Sequence, residues 1–399
     1  MKKFKTKLLS AAVILASSSM AMAYEDAPSL ESLQQQINAL TKDASEGENG
    51  FHMAGYFTLN YQSVDGGNYD GRNDFNKASF MPIFMYQMND KISFEAELEI
   101  GTGSEGETDV AMEYAYANID LTDDLTLVAG KFFVPVGQFK QNIHPSWINK
   151  AVSAPMGFGH GGAAPATDVG LQLRGGSYVG DMPIKYAVYF GNGAAIEEGH
   201  GGLEVDNEGM TNDSDGTKNF GGRLAIVPVP NLEIAFSYMG GQGGLEQAEA
   251  TGGGFFVEEL TITPDLDVLG ADFAYRQGGL TLRGEYIKME LSTFSTQAIH
   301  EEDDGDFELE TETYLASDNV WTTWYLQAAY RFDQSNWEGV VRFGDFESQV
   351  PGSDASHWVV GVNYYFAPTV IAKVNFESQD SIDDSRDSDQ ILAQLTYGF

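Results

Sequence analysis

The sequence predicts an all-β protein, a 16-stranded antiparallel transmembrane β-barrel preceded by a short coiled-coil segment. Three observations point there. After the first 23 residues no stretch approaches the roughly 20 consecutive apolar residues that a membrane helix needs, so a crossing would have to be made by strands. Segments with period-two hydrophobicity recur from Phe51 to Phe399. The connections between them alternate between short and long, the rim asymmetry of a barrel whose ends face different compartments.

Residues 1–23 read as a secretory leader. Lys2, Lys3, Lys5 and Lys7 give a basic start, an apolar run begins at Leu8, and Ala21, Met22 and Ala23 form a small-x-small cleavage site. The mature chain then begins near Tyr24. Of the 22 basic residues four leave with the leader, so 18 stand against 59 acidic ones and the balance moves from −37 to −41. That sign excludes nucleic acid as a partner. With no cysteine there is no disulfide, lipid-anchoring thiol, thiolate metal site or haem attachment, and no cofactor is expected.

Residues 24–50 carry Leu30, Leu33, Ile37 and Leu40 at 3-4-3 spacing, a coiled-coil seam of about a heptad and a half. Such a seam is too short to be stable alone and needs an anchored partner to raise its effective concentration. It reads as a periplasmic oligomerisation stalk or, alternatively, as an amphipathic linker. Ala44 to Gly50 is a polar spacer.

The barrel is expected over 51–399. Its strands are placed at 51–62, 75–88, 91–101, 108–119, 125–132, 167–176, 183–191, 218–227, 231–240, 267–277, 279–290, 319–332, 337–346, 355–366, 369–379 and 387–399. The number is even, as bacterial single-chain barrels require. Short turns fall at 89–90, 120–124, 177–182, 228–230, 277–279, 333–336 and 367–368. Longer polar connections fall at 63–74, 102–107, 133–166, 192–217, 241–266, 291–318, 347–354 and 380–386. A soluble sandwich would not sort its loops onto two rims in this way.

Segment 91–101 shows the alternation plainly. Ile92, Phe94, Ala96, Leu98 and Ile100 share the face meant for lipid, while Ser93, Glu95, Glu97 and Glu99 share the other. The same parity sends Arg174, Arg223, Arg276, Arg283, Arg331, Arg342 and Lys373 into the lumen, with Lys131 ambiguous. Glu113, Asp272 and Glu285 also point inward, so many of these cations could be paired in a structural charge lattice.

The third long connection, 133–166, contains no Asp or Glu and carries Lys140 and Lys150 with His144 and His160. By contrast 192–217 holds seven acids, 241–266 five and 291–318 nine, none with a basic residue. A third connection folded into the barrel would place its lysines in a low-dielectric constriction, where a few charges set ion preference. Lys140, Lys150 and Lys131 with the seven inward strand cations are therefore the candidate constriction and solute-binding residues. The rival expectation is an ordinary surface loop with an acidic, cation-preferring rim. Carboxylate clusters such as Glu301 to Asp304 would attract divalent cations that bridge to lipopolysaccharide phosphates, and 212–216 only partly matches a calcium loop.

The chain ends with Ile391, Ala393, Leu395, Tyr397 and Phe399 on one face. An alternating last strand closed by a terminal Phe is similar to the assembly signal read by the outer-membrane barrel insertion machinery. Tyr397 and Phe399 would also sit in an aromatic girdle.

Val128 to Phe139, Val-Ala-Gly-Lys-Phe-Phe-Val-Pro-Val-Gly-Gln-Phe, resembles the G-K-[FY]-x-x-P-x-G stretch of the porin O/P superfamily. That superfamily includes phosphate-selective porins and related anion or dicarboxylate porins. The resemblance implies an outer-membrane homotrimer with an inward-folded third loop and basic residues guiding small anions, here Lys140 and Lys150. The third connection lacks the dense Arg/Lys set of a phosphate selector, so a general or carboxylate-preferring pore is equally expected.

The expected function is passive diffusion of small hydrophilic solutes, anionic or neutral, with a non-selective or cation-preferring porin as the alternative. A structural or adhesion barrel without transport is a further alternative, but sixteen strands leave an aqueous lumen where smaller barrels fill theirs with side chains. The short segment before the first strand leaves no room for the plug of an active receptor, whereas a sheath around an electron-transfer partner would mark the partner rather than this chain. An enzyme would need a nucleophile system beside a histidine, and the six histidines fall mostly in loops or at strand ends without a compact constellation.

Overall fold

The computed structural model describes residues 50–399 apart from 104, 160, 200–201, 207–208, 210–215, 247–260, 302–306, 316–318 and 350–351. The leader, the seam of Leu30, Leu33, Ile37 and Leu40, and most of the clustered loop acids lie outside the described residues.

Sixteen strands close into one antiparallel barrel. They are β1 (Gly50–Gly66), β2 (Asn73–Asn89), β3 (Ile92–Thr102), β4 (Thr108–Thr122), β5 (Leu125–Phe133), β6 (Thr167–Val179), β7 (Met182–Gly191) and β8 (Asn219–Val229). The others are β9 (Leu232–Gln242), β10 (Asp265–Gln277), β11 (Leu280–Leu291), β12 (Val320–Arg331), β13 (Trp337–Glu347), β14 (Ala355–Ala367), β15 (Val370–Ser381) and β16 (Ser388–Gly398). Each expected span overlaps one of them. Closure comes from β1, which pairs with β2 on one side and with β16 on the other, from Tyr56 opposite Gly398 to Gly66 opposite Ser388. Gly55 and Phe399 exchange backbone hydrogen bonds of 3.2 and 3.0 Å at the same seam. A ring of strands leaves no open edge.

The barrel is inside-out relative to a soluble protein. Phe57, Phe94, Leu171, Phe190, Phe236, Trp358, Phe376 and Leu395 are exposed on the outer face, while Glu97, Gln172, Asp272, Asn363 and Gln394 are buried on the inner one. An apolar belt around a closed ladder is a lipid-facing surface. Aromatic pairs gather at the short-turn rim: Trp337 with Tyr364, ring centroids 4.8 Å apart, Tyr330 with Phe332, and Phe80 stacked on Phe399.

The interior is not polar throughout, and it turns apolar toward the long-loop end of β5 and β9 to β12. Val128, Phe132, Met239, Val268, Ile287, Met289 and Trp321 point inward and are buried. They are covered by the third connection and by a small sheet that the sequence pattern did not anticipate. Ala195–Gly199 pairs with Gly202–Asp206, and Gly244–Glu246 joins it in parallel and carries Thr261–Ile262 on its far side. Ile196, Leu203, Val205 and Leu245 of this sheet join the same apolar cluster. Phe294–Glu301 and Phe307–Tyr314 form a separate hairpin.

Gly130 shows how tightly the wall is drawn. It lies between Tyr116 and Gly170 with φ +136°, and a Cβ there would come 2.3 Å from the Ala115 carbonyl oxygen. Gly130→Ala is expected to destabilise the barrel by roughly 1–3 kcal/mol or more, because strained backbone and a backbone clash coincide. The check is a lower temperature for loss of the compact, detergent-resistant band on a heating series.

Candidate functional site

The described residues between 134 and 166 lie inside the barrel, where side chains of the wall hold their backbone at several points. The segment leaves β5 with the Val134 amide bonded to the Ala166 carbonyl, so its two ends meet. Gly137 then turns with φ +67°, and a Cβ there would fall 1.7 Å from the Glu285 carboxylate. That carboxylate accepts the amides of Gln138 and Phe139, both at 3.1 Å. A single π-helical turn, Phe139–Ile143, follows. Phe139 and Phe158 pack edge-on against each other and Tyr325.

The second half of the segment is tied down by buried charges. The Lys373 ammonium donates to three carbonyls, those of Ser146, of Asn149 at 2.7 Å and of Ala151 at 3.3 Å. Lys150 reaches the opposite way, into the wall, where it meets Glu338 at 2.9 Å and the Tyr365 hydroxyl at 2.8 Å. Burial pushes the Lys150 ammonium below its ordinary range, and the Glu338 carboxylate opposes that shift. Arg342 donates to the carbonyls of Ser153 and Ala154, both at 3.0 Å, and to the Ser153 hydroxyl at 2.6 Å. Ser153 donates in turn to Glu377 at 3.0 Å, and the Thr323 hydroxyl donates to the Met156 carbonyl at 2.6 Å. A loop buried in a lumen must have its peptide groups satisfied, and charged partners do this with the strongest bonds available.

Correction is therefore needed for several candidate constriction residues. Lys150, Arg342 and Lys373 are almost fully buried and serve as anchors. Lys131 lies opposite Ala115 and Val169, the parity contrary to inward Val128 and Phe132, and its ammonium reaches the Met112 carbonyl at 2.9 Å. Period two places Lys131 on the outer face, and its long stem carries the charge to a polar group. Arg223 points inward but is held by Asp272 at 2.9 Å and Glu233 at 3.2 Å. Arg174 donates to Asn118 at 2.9 Å with its guanidinium over the Tyr116 ring. Arg331 stacks 3.9 Å from the Tyr365 ring centre and bonds the Ser335 carbonyl. Arg276 and Arg283 also face the lumen. Glu338 and Glu377, which hold the third connection, were absent from the expected set. Their inward parity was readable, but their partners lie 188 and 224 residues away in the chain.

One side of the lumen stays accessible. Asn142 is exposed, and Lys140, Gln141 and His144 are half-buried, facing half-buried Glu95, Glu99, Glu113, Tyr116, Asn118 and Arg174 of β3, β4 and β6. On this wall Glu95 accepts the Tyr114 hydroxyl at 2.8 Å, Glu97 accepts the Tyr56 hydroxyl at 2.9 Å, and Lys77 meets Glu99 at 2.6 Å. His144 Nε2 stands 3.9 Å from Glu97. His160 and His200 lie outside the described residues.

No protein-family model matches this sequence, and no curated protein does. Solved structures do share the fold. The anion-selective porin from Comamonas acidovorans superposes with a TM-score of 0.55 at 12% identity, over 88% of this chain and all of its own. OmpF of Salmonella typhi, in complex with daunomycin, gives 0.54 at 15% identity over 88% of this chain and 98% of its own. The outer-membrane channel DcaP of Acinetobacter baumannii gives 0.53 at 9% identity over the same shares. At such identities the likeness establishes the porin-type barrel fold.

Lys150→Met strips Glu338 of its cation in a buried place and is expected to cost about 3–5 kcal/mol. Adding Glu338→Gln should recover part of that loss, because the uncompensated charge goes with it. Denaturant unfolding of the two single variants and the double variant, compared as a cycle, checks this.

Proposed function

We propose that this chain is an outer-membrane porin through which small hydrophilic solutes diffuse passively, with the third connection narrowing the lumen. The observation that carries this reading is the accessible strip inside a closed sixteen-stranded barrel, between Lys140 to His144 on one side and β3 to β6 on the other. A barrel of this size encloses water unless something fills it. Here an apolar cluster and the anchored loop fill the remaining lumen toward the long-loop end, so a permeating solute is steered along the polar strip.

The charge of that strip is the selectivity element in this reading. Along the strip Glu95, Glu99 and Glu113 stand against Lys77, Lys140 and Arg174, and buried Glu97 behind them adds a further negative charge, so a mild cation preference follows. Anion preference through a basic third connection is the second reading. It keeps Lys140 but not Lys150, whose charge is held by Glu338, and the likeness to the anion-selective porin of Comamonas acidovorans is what favours it. The same proposal includes homotrimer formation through the apolar outer face, a surround of lipid and lipopolysaccharide, and insertion by the barrel assembly machinery at Tyr397 and Phe399.

Single-channel recording in a planar bilayer across a KCl gradient tests both halves. Stepwise openings with a potassium-selective reversal potential are expected. Glu95→Gln with Glu99→Gln should move that potential toward chloride, and Lys140→Glu should move it further toward potassium. A chloride-selective wild type would return the selectivity to the basic loop. Folded protein that never opens would discard the channel.

A further inference from the structure

Arg283 is a buried cation that the wall does not satisfy. It points into the barrel from β11 at 3% exposure, and neither its Nε nor one of its terminal nitrogens, Nη1, has a hydrogen-bond partner among the described residues. Gln327 lies opposite it on β12. Arg276, Tyr325, Glu338 and Tyr365 are near enough to act on it electrostatically, and Lys150 lies within the same range of both arginines.

The charges around it do not balance. Two carboxylates lie near it: Glu338, already engaged by Lys150, Asn363 and Tyr365 at 2.9 to 3.0 Å, and Glu285, two residues along the same face of β11, already engaged by the Gln138 and Phe139 amides at 3.1 Å. The acid that acts on Arg276 is Glu233, which is itself bonded to Lys185 and Arg223. Arg331 lies over the face of Tyr365. Five cations, Lys150, Arg276, Arg283, Arg331 and Lys373, thus gather where the nearby carboxylates already have partners of their own. Buried guanidinium donors without an acceptor, beside like charges, are costly unless something negative joins them.

We propose that Arg283 and Arg276 bind a small inorganic anion between β10 to β12 and the third connection, away from the permeation strip. Arg283 is buried, which favours a compact anion over a bulky organic one. The bound anion would supply the acceptor that Arg283 lacks and would offset the repulsion between Arg283, Arg276 and Lys150. It would thereby stabilise the Lys150 anchor, a structural role that does not require solute flow.

The test uses the folded full chain in detergent, unfolded by heat at constant ionic strength while sodium gluconate is replaced by sodium chloride. A saturable rise in unfolding temperature with chloride is expected. That rise should vanish in Arg283→Gln, and in Arg276→Gln it should need about tenfold more chloride, the loss of one charged contact. Crystals grown in bromide should show an anomalous peak within hydrogen-bonding distance of the Arg283 guanidinium. If Arg283→Gln does not fold, the Arg276 variant and the bromide peak carry the test.

Equal unfolding temperatures in gluconate and chloride would overturn the proposal and leave water as the acceptor. An undiminished chloride response in Arg283→Gln would overturn it too, by placing the anion elsewhere. Neither readout depends on ion conduction, so failure here and failure of the porin reading are separable.

Discussion

Everything inside this barrel depends on satisfying the peptide groups of one enclosed segment. Lipid outside forces the wall into a closed ladder, because an unpaired amide in hydrocarbon costs several kcal/mol by common estimates of about 2–7. Closure then creates an interior that the residues after β5 enter with their own amides and carbonyls. Lys373 under three carbonyls, Arg342 under two, and Glu285 over two amides are the answer to that demand. Charged groups make shorter and stronger bonds than neutral ones, so three wall residues can hold a segment that has no regular ladder of its own.

That use of charge changes what a lumen cation means. A basic residue facing the interior can meet solutes only if the enclosed segment leaves it uncovered. The coverage here is uneven. Arg342, Lys373 and Glu377 on β13 and β15 are sealed beneath the segment, whereas Glu95, Glu99 and Arg174 on β3 and β6 are not. The apolar cluster of Phe139, Phe158, Trp321 and Ile287 adds to the sealing on one side and pushes the accessible strip to the other. Which lumen charges are accessible is therefore decided by the part of the wall the segment leaves open, and the total lumen charge is a poor guide to it.

The anchors that hold the enclosed segment also set where the accessible strip lies. Lys150 and Glu338 form one contact within a network that also takes in Asn363 and Tyr365, and the unsatisfied Arg283 lies beside it. A disturbance there would loosen the segment that borders the strip.

The sequence by itself determined the strand count, the closure of the ladder and the two kinds of rim. Period-two alternation and the ordering of short and long connections are local properties, and lipid leaves a strand-built chain one way to obey them. The inward parity of Arg174, Arg223, Arg276, Arg283, Arg331, Arg342 and Lys373 was readable for the same reason. Only the tertiary structure decided which of these charges face the accessible strip. The pairing of Lys150 with Glu338 and of Ser153 with Glu377 spans 188 and 224 residues, and no periodicity encodes such contacts. Lys131 was legible only once the inward parity of Val128 and Phe132 was known, since an apolar residue facing the lumen contradicts the simple rule. It does so because the enclosed segment and the small sheet bring an apolar surface of their own inside, and burial against that surface outweighs exposure to the aqueous lumen.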